Sequence, residues 1–270
     1  MTRQQFRFRN TGLRQSLGAP LLALAVVASV GARPLHAAAF TAVTHNEHSA
    51  KRMPAFGDVE VHAVVDGDRG RLQFMTGGFM PKDRVIVTSD GGRSAMFYDP
   101  EDQTCGDSPA AALPTIAAPK QAETLRHYEN VRVKKNLDAP GPKLHGVATR
   151  HLRYAIDYDM RTGEQAAAGI HVSIESELWV AASLKDAAFA LWLRAAPHTG
   201  NDDADRRIGE SMKEARGAAL KRIERTSLQG AGAAAQKLTT AMEVTQLTLT
   251  KPAAADLAPP FECRSKTPKQ

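Results

Sequence analysis

Asp157 and Asp159 stand two residues apart, a spacing that puts both carboxylates on one face of a strand and would suit general acid–base work. Near a strand end, the same pair reads as solvent-facing charge. His45 and His48 lie three apart and could pinch a soft metal, while His145 and His151 bracket a strand start. A metal centre needs three or four convergent ligands with a supporting shell, and no neighbourhood of this sequence assembles them. The expectation is therefore no metal and no cofactor. No G-x-S-x-G elbow, P-loop, dinucleotide fingerprint or H-E-x-x-H occurs. Asp66 and Asp68 flank a turn glycine, which accounts for both. With neither an activated nucleophile nor a base in sight, the chain reads as a non-enzyme. Trp179 and Trp192 sit in apolar surroundings and are expected in the core.

Cys105 and Cys263 are the only cysteines. An even pair in an oxidising compartment invites a disulfide, and two separate thiols are the alternative. The compartment follows from the first 39 residues. Arg3, Arg7, Arg9 and Arg14 precede an apolar run, Leu17 to Val30, and Ala37-Ala38-Ala39 follows. A basic start, a short apolar stretch and an A-x-A exit are the marks of a secretory signal peptide cut near Ala39. The run is shorter than the roughly 18–20 residues that span a bilayer, so no transmembrane segment is expected after maturation. The expected location is the periplasm.

The leader also accounts for the apparent basicity. The chain has 35 Lys and Arg against 29 Asp and Glu, but five of the basic residues and no acidic ones lie in residues 1–39. The remainder is nearly neutral. A nucleic-acid footprint needs a surviving basic face, so nucleic acid is excluded as a partner.

The elements that must position these groups are mostly strands. Residues 40–57 are polar and aperiodic and read as a flexible lead-in. Val59, Val61, Ala63 and Val65 then alternate with polar neighbours, the pattern of a half-buried strand. Short turns link Arg69–Met75, Arg84–Thr88 and Ser94–Tyr98 into an antiparallel meander. An Ala/Pro insert occupies 106–120, and Glu123–Lys135 reads as a strand. In 149–158, Leu152, Tyr154, Ile156 and Tyr158 share one face while His151, Arg153 and Asp157 share the other. Ile170, Val172 and Ile174 resume the alternation. The period then changes to 3.6. One helix is expected from Leu184 to about Ala196. A second is expected from Asn201 or Asp202 to about Arg225, with the stripe Ile208, Met212, Ala215, Ala219 and Ile223. Gln229–Ala235 reads as a connection, Leu238–Thr250 as a last strand, and 264–270 as a tail. The expected class is α+β: one domain over 58–263, with a curved antiparallel sheet covered by two helices.

The segments Val64–Leu72, Val85–Glu101 and Gly146–Tyr154 carry an Asp66-Gly67-Asp68-Arg69 turn, a TSDGG hairpin and a T-R-H-x-R strand. Together with Glu175–Ala181 and Met242–Thr245, they resemble an uncharacterised proteobacterial envelope family. That family is similar in element order to LolA/RseB-like lipoprotein carriers. The resemblance covers roughly residues 58–263, and its motifs are structural. It implies a periplasmic binding protein that holds a lipid or other hydrophobic ligand in a sheet/helix groove. Leu152, Tyr154, Ile156 and Val172 are the candidate groove lining, and a lipid or a lipidated envelope protein the candidate partner. The alternative is an envelope interaction or sensor module with a solid core and no ligand.

Overall fold

The computed structural model describes residues 37–263 apart from 49–57, 77–80, 93, 109–125, 163–168, 185–191, 198, 200 and 231–234. Eleven strands form one antiparallel sheet: β1 Ala37–His48, β2 Val59–Asp66, β3 Arg69–Phe74, β4 Val85–Thr88, β5 Ala95–Asp99, β6 Thr104–Ser108, β7 Arg126–Pro140, β8 Arg150–Thr162, β9 Ile170–Ala181, β10 Ala218–Gly230 and β11 Gln236–Thr248. Their spatial order is β6-β5-β4-β3-β2-β1-β11-β10-β9-β8-β7. Two meanders, β2 to β6 and β7 to β11, are joined in the middle by β1 pairing with both β2 and β11.

Alternation dictates which face is buried. Val59, Val61, Ala63 and Val65 of β2 point inward, as do Leu152, Tyr154, Ile156 and Tyr158 of β8 and Val172, Ile174, Leu178 and Val180 of β9. One continuous apolar cluster runs from Ala95 of β5 to Tyr158 of β8. Leu184, Trp192, Leu193 and Ala195 join it, as do Ile208 and Met212 from the segment between β9 and β10. This segment is the cover of the buried face.

The two-helix α+β expectation fails here. The described residues hold a single α-helix, α1 at Asp202–Ser211, capped by the Asn201 side chain accepting from the Ala204 amide. Ile208 and Met212 face the core as the helical stripe requires. The helix then gives way to a 3-10 turn at Lys213–Ala215 and to Gly217 at φ +139°. From Ala218 the chain is strand β10, so Ala219 and Ile223 belong to the sheet. Ile223 shares register with Glu177, on the face away from the core. The sequence hid this strand because its inward positions carry Arg222 and Glu224 while an isoleucine points outward. Of the other expected helix, 185–191 lie outside the described residues and 192–197 are not helical.

The expected lead-in is also corrected. Residues 37–48 form β1, with Ala38, Phe40 and Ala42 in the core, while 49–57 lie outside the described residues. Residues 106–108 of the expected 106–120 insert are strand β6, and 229–230 of the expected connection are the end of β10. The leader to residue 36, 109–120, 231–234 and the tail lie outside the described residues. No helix among the described residues is long and apolar enough to cross a membrane.

Candidate functional site

A row of polar side chains crosses the mostly apolar buried face. Directly opposed residues of paired strands share a face, and register carries the row through six strands. Lys135 of β7 opposes Tyr154 of β8, which opposes Ser176 of β9. Ser176 opposes Glu224 of β10, which opposes Thr240 of β11, and Thr240 opposes Asn46 of β1. Above and below lie apolar rows, Ile156 with Ile174 and Leu152 with Leu178.

The ends of the row are satisfied and its centre is not. Thr240 donates to Asn46 Oδ1 at 3.0 Å. Lys135 Nζ lies 2.9 Å from Asp138 and 3.8 Å from Glu214 of the cover. Between them, the Tyr154 hydroxyl, Ser176 Oγ and Glu224 Oε1 are buried atoms without a hydrogen-bond partner among the described residues. Tyr154 and Ser176 are fully buried residues. Burial, with the Glu214 carboxylate, raises the Tyr154 pKa above the usual phenol value. An unmade hydrogen bond at a buried polar atom costs about 1–3 kcal/mol, so three together in one row call for a physical cause.

Arg222, one inward position along β10 from Glu224, extends the cluster. Its Nη1 donates to the Arg194 carbonyl at 2.9 Å, while its Nε is buried and unpartnered among the described residues. That Nε stands 3.8 Å from Glu224 Oε2, too far for a hydrogen bond. Burial lowers the pKa of Arg194, and the Asp205 carboxylate opposes that shift. The cover docks through backbone as well: the Ala219 amide donates to the Leu193 carbonyl at 2.9 Å, and the Tyr128 hydroxyl to that of Thr199 at 2.9 Å. Chemically, the row offers hydrogen bonds in an apolar frame. Ser176 has no hydrogen-bonded base beside it among the described residues, so nothing there activates it as a nucleophile.

The four expected groove residues all lie on this face. Leu152, Tyr154 and Ile156 are 0% exposed and Val172 2%, so they point into the closed core beneath the cover. Tyr154 alone among them carries a polar group. Ser176, Arg222 and Glu224 were not expected. Ser176 sits at the inward phase of Ile174 and Leu178 on an expected strand, whereas Arg222 and Glu224 are legible only once β10 is known to be a strand.

The other candidates lie elsewhere. Asp157 and Asp159 share the outer face and both face His171, whose Nε2 lies 3.8 Å from Asp157. Ser173 donates to Asp157 at 2.7 Å, while Asn130 donates to Asp159 at 2.7 Å and His171 Nδ1 lies 2.8 Å from it. The Asn130 and His171 hydrogen bonds hold the Asp159 pKa below the usual carboxylate range. His45 pairs with Asp58 at 2.9 Å. The ring of His145 hydrogen-bonds to the Val244 carbonyl at 2.6 Å. No group of three or more His, Cys, Asp or Glu among the described residues is placed to hold a metal ion. Trp192 is buried with its ring edge-on to Phe74. Trp179, expected in the core, lies instead on the outer face, out of phase with Leu178 and Val180. Its ring stacks on His151 at 4.6 Å, with Lys221 Nζ 5.7 Å from its centroid.

Cys105 of β6 and Cys263 are joined by a disulfide. The chain matches no protein-family model, and no curated protein is significantly similar to it.

Proposed function

We propose that this is an exported, non-enzymatic binding protein that holds an amphipathic, lipid-like ligand against the buried face of its sheet, beneath the cover. One observation carries the reading: Tyr154, Ser176 and Glu224 present unpartnered polar atoms in register inside an apolar face. Ligand sites are mostly apolar with a few placed polar groups that fix orientation, and that is the composition here. The disulfide supports export, since such bonds persist in oxidising compartments. The basic, apolar and small-residue leader supports a periplasmic address. The resemblance of the strand-and-turn motifs to LolA/RseB-like carriers supports a hydrophobic cargo.

Native mass spectrometry of the protein purified from the periplasm tests the proposal. The expected spectrum contains a population heavier than the chain by a lipid-sized mass, lost on collisional activation. A chain-only mass, with ordered water on all three polar atoms in a crystal structure, overturns it. The closure of Leu152, Tyr154, Ile156 and Val172 favours a second reading, an envelope interaction module with a solid core. The overturning result would support that module.

A further inference from the structure

The groups left unpartnered in the row select a class of ligand head group, an inference that rests on the binding reading above. Glu224 Oε1 can only accept a hydrogen bond, and Arg222 Nε can only donate one. The Tyr154 and Ser176 hydroxyls do both. All four atoms are buried without hydrogen-bond partners among the described residues. A complementary group must therefore carry donors and acceptors together.

Charge narrows the choice. Lys135, Arg150, Arg194 and Arg222 stand with Asp138, Asp205, Glu214 and Glu224, four cations with four carboxylates, so the formal charges around the row cancel. Arg222 is 8% exposed. A buried charge left unpaired costs several kcal/mol. A carboxylate or phosphate head placed to meet Tyr154 and Ser176 would also meet Glu224, the in-register neighbour of Ser176. An ammonium head would have to lie beside Arg222. A neutral hydroxyl or amide head satisfies all four atoms and adds no charge. Its apolar body would lie along the flanking rows, Ile156 with Ile174 or Leu152 with Leu178.

We infer that the buried row binds an uncharged amphiphile whose head bears hydroxyl or amide groups, and that Glu224 excludes anionic heads. The test compares four probes with one acyl chain: monooleoylglycerol, oleamide, oleate and oleoyl lysophosphatidate. Each is titrated into the full exported protein, delipidated beforehand, by displacement of a fluorescent apolar dye. Monooleoylglycerol and oleamide are expected to bind at least about tenfold tighter than oleate or the phosphate, one clean hydrogen bond's worth of discrimination. Glu224→Gln is expected to improve oleate binding and shrink that ratio. Tyr154→Phe, which keeps the ring, is expected to weaken the neutral probes by about tenfold. Oleate binding as tightly as monooleoylglycerol, with no response to Glu224→Gln, overturns the head-group inference while leaving a hydrophobic site. Failure of all four probes to bind the wild-type protein overturns the binding reading with it.

Discussion

Tyr154 and Ser176 set a contest between stability and use that single substitutions resolve. A buried hydroxyl without a partner destabilises the protein that carries it, and replacing it with an apolar isostere is neutral or stabilising. Tyr154→Phe and Ser176→Ala should therefore keep or raise the Tm of the delipidated protein, by up to a few degrees each. A melting series on both variants checks this. A loss of several degrees in either would mean that the hydroxyl already has a partner, and the row would lose its significance. Glu177 on the outer face behaves in the opposite way. Burial pushes its pKa up, but hydrogen bonds from Arg153 at 3.0 Å and His151 at 2.7 Å outweigh that and hold it below the usual range. A carboxylate with a depressed folded pKa stabilises above its unfolded value, about 4.3, and loses that contribution as the pH falls through the lower folded value. Stability should accordingly decline below about pH 4.3. Glu177→Gln should flatten that decline and leave the curve's shape above pH 6 unchanged, as read from melts across pH.

The junction between α1 and β10 is where elements compete for the same residues. Gly217 adopts φ +139°, and a Cβ added there would run into the Ala181 carbonyl on the neighbouring strand end. Gly217→Ala should cost roughly 1–3 kcal/mol or more, visible as a lowered denaturation midpoint at unchanged m-value. Asn201→Ala, which removes the cap but leaves the acidic first turn, should cost only about 1 kcal/mol. The same junction explains what was legible in the sequence. Strands β2, β8 and β9 declared themselves because β-branched and aromatic residues alternate with polar ones. Asn201 declared the helix start through its side-chain chemistry. What failed was the end of the helix. Ala219 and Ile223 continue the spacing of Ile208, Met212 and Ala215, and nothing local to them says otherwise. The deciding facts are non-local: Gly217 packs against β9, and Arg222 and Glu224 are carried inward by pairing with Leu178 and Ser176. Arg222 and Glu224 lie on β10, so their place in the polar row could not be read while the strand was taken for helix. Trp179 failed differently. Its neighbours Leu178 and Val180 are core, and alternation alone sends the ring outward.

At the scale of the whole molecule, both ends of the described chain serve the β2–β6 half of the sheet. Ala38 is fully buried and pairs with Val65, so cleavage after Ala39 would strip a core residue from β1. N-terminal sequencing of the exported protein should find Ala38 retained. The other end crosses the opposite face. Val85 and Tyr98 are out of phase with core residues Ile86 and Leu72, yet both are buried. The C-terminal stretch accounts for this: Leu257, in the 3-10 turn Ala254–Leu257, is buried, and Phe261 packs edge-on to Tyr98 at 5.4 Å. Cys263 then bonds to Cys105, the register neighbour of Tyr98. The strap thus tethers the chain after central strand β11 to end strand β6. A cross-link spanning 158 residues removes loop entropy worth about 5 kcal/mol from the unfolded chain in the chain-entropy model. The double variant Cys105→Ser, Cys263→Ser should lower stability by a few kcal/mol. Hydrogen exchange should rise first in peptides covering 254–263 and 95–108, ahead of β8 to β10, where the row and the core are. Ligand affinity should hold at temperatures where the variant stays folded, because the strap lies on the face away from the row. Equal early exchange in β8 to β10 would show instead that the two halves of the sheet unfold as one unit, with the strap stabilising both.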